Sequence, residues 1–209
     1  MGKPISLTHE TPFAVGDHKA VYIHPNDSSL LIKVVHEAGL EALKAKYPWS
    51  MRFRRLPNYW EFLHEMVEHL AVRELMSPAE SYIENVIGLV DTDLGVGMIV
   101  EAIRSPTGEV APTLRNLIQG NTFKQKHEDA LNEILDWIVN TNVIIRELTT
   151  TNMVWNDTTQ RFVIIDGIGS KPLLTLRSFS KRYNKRSNFK KSQKLKMWVQ
   201  EGLSKHASQ

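Results

Sequence analysis

The feature that most constrains this 209-residue sequence is a polar loop, a β-rich run and an Asp-Gly pair within residues 144–169. Asn152 follows the polar run T-T-T, and Asp166 follows the largely apolar run R-F-V-I-I. An amide oxygen and a carboxylate, placed at the ends of short apolar runs, are the kind of oxygen ligands that Mg²⁺ takes in proteins. The stretch therefore predicts a magnesium site that faces phosphates.

Length and composition limit the class of protein. The chain is long enough for one large domain or two small lobes, and its 42% hydrophobic and 23% charged residues are typical of a globular protein. It contains no run of eighteen apolar residues, so we expect no membrane span. The N-terminus has no apolar stretch of the kind found in signal peptides. The absence of cysteine excludes disulfides and thiolate chemistry. We therefore expect a cytoplasmic protein.

The positive charge is concentrated near the C-terminus. Residues 167–200 contain ten Lys or Arg and no Asp or Glu, so the rest of the chain carries about −7 of the total net charge of +3. This basic tail (residues 171–200) is typical of a surface for phosphate, nucleic acid or another anionic partner, and equally of a solvated face. Tyr183 and Phe189 lie among the basic residues, as base-stacking groups do.

The N-terminal part predicts antiparallel strands. Residues 5–35 are short β-branched runs interrupted by turn residues, which predicts about three strands. Lys33 lies inside the most apolar of these runs, where an ammonium group is costly unless it faces an anion. The alternative is a lysine near a strand end that extends its charge to water.

A loop-like region and a helix follow these strands. Residues 36–58 read as loop, and the helix of residues 59–76 is predicted from apolar positions at helical spacing: Trp60, Leu63, Val67, Leu70 and Leu75. Glu61 and Glu65 are one turn apart and share a face of this helix. Either could pair with Lys33.

The remaining chain predicts a hairpin and then helices. Residues 86–103 form the hairpin, and residues 105–112 form a Gly- and Pro-containing linker. A short helix begins at residue 113 and an amphipathic helix covers residues 126–140. The last helix is predicted at residues 192–204, with its inward positions at Leu195, Trp198, Val199 and Leu203.

This order of elements resembles a protein-kinase-like fold, and more narrowly the YrbL family of bacterial PhoP-regulatory-network proteins. The segments that carry the resemblance are T-P-F-A-V-G-D-H-K-A-V-Y-I, V-D-T-D-L-G-V-G-M-I-V-E-A-I, N-V-I-I-R-E-L-T-T-T-N-M-V-W and I-I-D-G-I-G. The resemblance implies an α+β fold of two lobes. It places an N-terminal lobe at residues 1–104, a hinge at 105–112, and a minimal helical lobe at 113–209.

The resemblance also implies a role for particular residues. Val15 and Gly16 correspond to a glycine-rich loop over ATP, and Lys33 to the lysine that binds phosphate oxygens. The implied partner of Lys33 is Glu61, with Glu65 as the second choice. The remaining implied roles are adenine contacts through the backbone at Glu101 and Ile103, Mg²⁺ ligands at Asn152 and Asp166, and a catalytic base at Glu147. The implied cofactors are ATP and Mg²⁺.

Three departures from the kinase pattern keep the function open. The loop has one glycine, the base position holds Glu147 in place of Asp, and about forty residues follow the Asp-Gly pair. A carboxylate displaced by roughly 1 Å can reduce a rate about 10²-fold. The chain is therefore a phosphotransferase with an unknown acceptor, a pseudokinase acting as a regulatory or scaffold module for a protein partner, or a nucleic-acid binder through its basic tail.

Overall fold

A computed structural model describes residues 3–46, 59–77, 79–169 and 180–207, with the backbone alone for residues 42–44, 46, 60, 61, 206 and 207. It divides into two compact units, Met1–Leu63 with Asn85–Ala102, and His64–Glu84 with Ile103–Gln209. The division passes through the helix of residues 59–76, which the sequence assigned wholly to the first lobe. Within the described ranges, no helix has the length and apolar character needed to cross a membrane.

The first unit is built on an antiparallel sheet in the order β1-β2-β3-β5-β4. Its strands are β1 (Ala14–Val15), β2 (Lys19–Ile23), β3 (Leu30–Val35), β4 (Val86–Thr92) and β5 (Gly95–Glu101). The β-branched runs form these strands because such side chains pack well on a pleated surface. The core contains Leu7, Ala20, Tyr22, Ile32 and Val34. The predicted meander and hairpin are confirmed.

The loop predicted for residues 36–58 is wrong where a helix, α1 (Glu37–Lys46), follows β3; residues 47–58 lie outside the described part of the chain. His36 precedes the helix, and its Nδ1 accepts a hydrogen bond of 2.9 Å from the backbone N–H of Gly39. This bond satisfies one of the free N–H groups of the first turn. Histidine is not a usual N-cap residue and Gly39 weakens helix propensity, so no recognisable start signal precedes this helix.

The second unit contains four helical segments and one hairpin in its described residues. After the part of α2 (Trp60–Leu75) from His64 onward come α3 (Leu114–Gln119), α4 (Gln125–Asn140), β6 (Met153–Asn156), β7 (Arg161–Ile164) and α5 (Lys181–Ala207). Its core is formed chiefly by α4 and the β6–β7 hairpin, with Leu131, Ile134, Ile138, Met153 and Phe162 buried. The amphipathic helix predicted at residues 126–140 is confirmed.

Helix α2 exposes the apolar positions from which it was predicted. Four of them have side chains exposed by 41 to 67%: Leu63, Val67, Leu70 and Leu75. The opposite face is buried and carries Phe62, Glu65, Glu68, His69 and Val72. Helical periodicity identifies a stripe of side chains but does not determine which stripe packs inward. The helix was predicted correctly, and the structure shows that this apolar stripe is exposed.

Helix α5 starts earlier than predicted. The prediction missed its first part because the buried stripe is polar there. The stripe runs along one face through Asn184, Asn188, Ser192, Leu195 and Val199, each at most 4% exposed. The helix starts at Lys181, eleven residues before the predicted start at residue 192. Trp198, predicted to face inward, is 38% exposed. An apolar pattern cannot reveal the first two turns of such a stripe.

The two asparagines of this stripe hydrogen-bond to backbone carbonyls in the last turn of α4 and just after it. The Nδ2 of Asn188 donates to the carbonyl oxygens of Ile138 at 2.9 Å and Val143 at 2.8 Å. The Nδ2 of Asn184 donates to those of Asn142 and Val143 at 3.0 and 2.9 Å. Carbonyls at a helix C-terminus have no partner in their own helix, so α5 caps α4.

Replacing Asn188 with alanine should destabilise the protein. The carbonyl of Ile138 would lose the Asn188 amide in a buried environment, which costs about 1–3 kcal/mol. Urea unfolding followed by circular dichroism measures this loss. The matched control is Asn132→Ala, the same change at an exposed position of α4, which should alter the free energy of unfolding by less than about 0.5 kcal/mol. Equal effects would contradict the capping role.

His127 connects the start of α4 to the hairpin. Its Nδ1 accepts a hydrogen bond of 2.9 Å from the backbone N–H of Lys124, and its ring meets the Trp155 ring edge-on at 4.5 Å. Burial, aided by the charges of Lys126 and Lys124, lowers the pKa of His127 below its ordinary value of 6.5. The folded protein therefore keeps this imidazole neutral at a pH where the unfolded chain binds a proton.

The stability of the protein should consequently fall as the pH drops below about 6.5, because the unfolded state then binds more protons. In His127→Gln this fall between pH 7 and 5 should be smaller, since glutamine can accept the same N–H bond without titrating. Thermal unfolding at each pH measures the difference. His9→Gln, at an exposed position, should retain the wild-type pH profile; a His127→Gln profile that matches it would refute the assignment.

Candidate functional site

The β6–β7 hairpin brings Asn152 and Asp166 to the same end of the second unit. Met153 pairs with Ile164 at this end of the ladder, and the backbone N–H of Ile165 donates to the carbonyl of Asn152 at 3.0 Å. Asp166 is the next residue, so the hairpin brings together two residues that are fourteen positions apart in the sequence. The side chain of Asp166 is 38% exposed, so its carboxylate is accessible to solvent.

Hydrogen bonds and one nearby cation surround these two side chains. The Oδ1 of Asp166 accepts a 2.6 Å bond from the N–H of Gly167 and lies 3.9 Å from the guanidinium of Arg146. The Oδ1 of Asn152 accepts a 3.4 Å bond from the Thr151 hydroxyl. A carboxylate and an amide oxygen supply two ligands for Mg²⁺, which usually keeps several waters or phosphate oxygens as the others.

Gly167 positions the loop that precedes Asn152. Its carbonyl accepts hydrogen bonds from the backbone N–H groups of both Arg146 and Glu147, at 2.6 and 2.8 Å. Its φ is +80°, a conformation that favours glycine. A Cβ at this position would overlap the carbonyl oxygen of Glu147 and lie 3.0 Å from the Nδ2 of Asn152. Only glycine allows this approach.

Residues 143–145 are held by side chains from two helices. The Oε1 of Glu68, on α2, accepts a 2.6 Å bond from the backbone N–H of Ile144. The ammonium of Lys191, on α5, donates to the carbonyl of Ile145. The carbonyl of Ile144 accepts a 2.8 Å bond from the N–H of Gly169. Glu68 and Lys191 are therefore positioning residues that the sequence analysis missed, because neither belongs to a recognisable motif.

Glu147 has an exposed side chain. Its backbone is fixed by the bond to Gly167, and Leu148 beside it is 5% exposed. The backbone of Glu147 is therefore held in place, and its side chain is in contact with solvent. Its role as a base stays a prediction.

The residues predicted to bind phosphates in the first unit lie on the sheet. Lys33 is 5% exposed in β3, between Val21 of β2 and Met98 of β5. The turn at Gly16 joins β1 to β2, with its N–H bonded to the carbonyl of Lys19 at 2.9 Å. A Cβ on Gly16 would meet that carbonyl at an ordinary 3.6 Å. Val15 is 65% exposed. Their roles toward ATP stay predictions.

The backbone at the end of β5 is partly committed to the sheet. The N–H of Glu101 donates to the carbonyl of Asn85 at 3.0 Å, and that of Ala102 donates to Ser29 at 2.7 Å. The carbonyl of Ile103 accepts a bond from Ala111 at 2.9 Å. An N–H that already donates to a carbonyl is not offered to a ligand. The adenine contacts predicted for the backbone at Glu101 and Ile103 stay predictions.

The two glutamates considered as partners of Lys33 differ in what the structure describes. The side chain of Glu61 lies outside the described residues, and that of Glu65 is 2% exposed. Potential ligand atoms of Glu65, His69 and Glu84 lie within 4.8 Å of one another, and all three residues are buried. This group was not predicted. The four-residue spacing of Glu65 and His69 indicates a possible metal site only when it is known that both lie on the buried face of α2.

Replacing Gly167 with alanine should destabilise the second unit. The left-handed conformation costs an L-residue about 1–2 kcal/mol, and the overlap with the Glu147 carbonyl adds to it. The matched control is Gly108→Ala, where φ is +85° but no atom lies within 4 Å of the added Cβ. Urea unfolding of both variants isolates the contact, and a loss in Gly167→Ala no larger than in Gly108→Ala would contradict it.

Comparisons with known proteins agree with this fold. A search of solved structures finds the crystal structure of Rad53 1-466 in complex with AMP-PNP, with a TM-score of 0.50 at 12% identity. The match covers 84% of this chain and 42% of that one. The predicted protein-kinase-like α+β fold is confirmed. The identity is too low for the match to transfer an activity.

The sequence comparisons identify the family. The chain is 23% identical over 183 residues to the uncharacterized protein YrbL of Escherichia coli (strain K12) and to that of Shigella flexneri, covering 85% of this chain and 79% of each relative. The sequence model of the family described as PhoP regulatory network protein YrbL matches residues 5–199. The chain therefore belongs to the YrbL family of PhoP regulatory network proteins.

Proposed function

We propose that this protein binds ATP with Mg²⁺ and transfers a phosphoryl group to an acceptor. The proposal rests on one observation: the β6–β7 hairpin places the carbonyl of Asn152 in a hydrogen bond with Ile165, the residue before Asp166. In a kinase-like fold, the asparagine of the catalytic loop and the aspartate of an Asp-Gly pair hold the metal. Mg²⁺ would supply neutralisation of phosphate charge.

The side chains of this protein would position the phosphate groups and the acceptor. Lys33 would bind phosphate oxygens with an ammonium group that an apolar strand holds in place. Glu147 would orient an acceptor hydroxyl or accept its proton, because a carboxylate can do either. Phosphoryl transfer depends mainly on positioning and charge stabilisation, so a small set of residues is sufficient.

A second candidate is a pseudokinase that binds nucleotide without transferring phosphate and acts as a regulatory or scaffold module. The observation that favours it is the proximity of Arg146 to Asp166, at 3.9 Å. A guanidinium beside the carboxylate competes with a metal for the same charge. The longer side chain at Glu147, in place of aspartate, also favours this candidate.

Mg-ATP should stabilise the wild-type protein in a thermal-shift assay. At about 100 times the dissociation constant, the free energy of unfolding rises by about 2.7 kcal/mol, since only the folded state binds. Asp166→Asn should lose most of this shift, because a neutral amide is a weaker Mg²⁺ ligand. The matched control, Asp136→Asn at an exposed position of α4, should retain it.

ADP release then separates the two candidates. An enzyme should lose activity at least about 10²-fold in Glu147→Gln while keeping the Mg-ATP shift. A wild-type rate equal to that of Asp166→Asn, with the shift present, supports the pseudokinase. No shift in the wild-type protein at millimolar Mg-ATP would overturn both candidates.

A further inference from the structure

Helix α5 presents a row of cations on its outward face. Within residues 181–200 there are eight Lys or Arg and no Asp or Glu. Four of these residues follow one another at intervals of four and are exposed: Arg182, Arg186, Lys190 and Lys194. Residues at this spacing share one face of a helix, so the row is about 18 Å long. Like charges at this spacing destabilise a helix, and the row therefore has a cost that a polyanionic partner would remove.

Aromatic side chains lie beside the row. Tyr183 and Phe189 are 52% and 51% exposed, although large aromatic rings are normally placed in the core or at interfaces. On the helix they fall on opposite sides of the line through Arg186 and Lys190, because residues three positions apart are about 60° apart around the axis. A row of cations flanked by exposed rings is the arrangement that binds phosphates and stacks bases.

The packing of α5 argues against a lipid surface as the partner. A membrane-binding amphipathic helix inserts its apolar face into the bilayer. Here the apolar residues of the buried stripe, Leu195 and Val199, are 0% and 4% exposed in the core of the second unit. Asn184 and Asn188 are bonded to the backbone beyond α4. The accessible side carries the row of cations together with the separate exposed side chains of Tyr183, Phe189, Met197 and Trp198.

We propose that the outward face of α5 binds single-stranded nucleic acid. The exposed guanidinium and ammonium groups of the row contact phosphates, and Tyr183 and Phe189 stack on bases. Accessible bases distinguish a single strand from a duplex, whose bases already stack on one another. The proposal is independent of nucleotide binding, since it uses none of the residues of the candidate site.

Fluorescence anisotropy with 5′-labelled oligo-dT and oligo-U, each about twelve nucleotides long, tests the proposal on the full chain. Affinity should fall as salt is raised from 50 to 200 mM. The double variant Arg186→Gln/Lys190→Gln should reduce the slope of log affinity against log salt by about 1.4, at about 0.7 per phosphate contact. Tyr183→Ala/Phe189→Ala should weaken binding by about 5-fold or more for each ring and leave the slope unchanged.

The matched control is Arg115→Gln/Lys124→Gln, which removes two exposed cations of the same unit outside α5. It should preserve both the affinity and the salt slope, and circular dichroism should show that all variants are folded. The proposal is overturned if the control reduces the slope as much as the α5 pair. It is also overturned if a duplex of equal length binds as tightly, or if anionic phosphatidylserine vesicles bind while the oligonucleotides do not at 50 mM salt.

Discussion

The structure of the second unit depends on how the backbone of residues 143–147 finds its hydrogen-bond partners. This segment belongs to no helix or strand, yet backbone groups buried without partners are costly. The partners come from three directions. Asn184, Asn188 and Lys191 of α5 bind the carbonyls of Val143 and Ile145, Glu68 of α2 binds the N–H of Ile144, and Gly167 binds the N–H groups of Arg146 and Glu147. A loop held at each peptide gives Glu147 a fixed backbone position.

This arrangement explains why α5 buries polar residues where an amphipathic helix usually buries leucine. An apolar stripe at Asn184 and Asn188 would pack against α4 but would leave the carbonyls of Ile138 and Val143 without donors. The asparagine amide has two donor hydrogens and can serve two carbonyls, as Asn188 does. The same helix carries the row of four exposed cations on the opposite face. One side of α5 therefore supports the candidate site, and the other is available to a partner.

The sequence predicted the parts of the fold that are encoded locally. The short β-branched runs gave the strands, and the spacing of Asn152 and Asp166 gave a pair that the hairpin brings to one end. It failed where burial depends on distant partners. Helix α2 buries Glu68 because a loop seventy-six residues away needs an acceptor, and no periodicity reports that need. Helix α1 follows a histidine cap, and the first buried positions of α5 are asparagines, so neither start has an apolar signal.

The glycines show where steric constraint lies. The resemblance to a glycine-rich loop predicted a role for Gly16, the one glycine that this loop retains. The backbone there does not require it, because φ is not positive and an added Cβ would make an ordinary contact. Gly167 and Gly169 combine a positive φ with blocked Cβ positions, against the carbonyls of Glu147 and His64. The steric demand for glycine is thus strongest beside Asp166. Substitution at Gly16 is therefore compatible with the fold, and any loss it caused would be a loss of ligand contact rather than of structure.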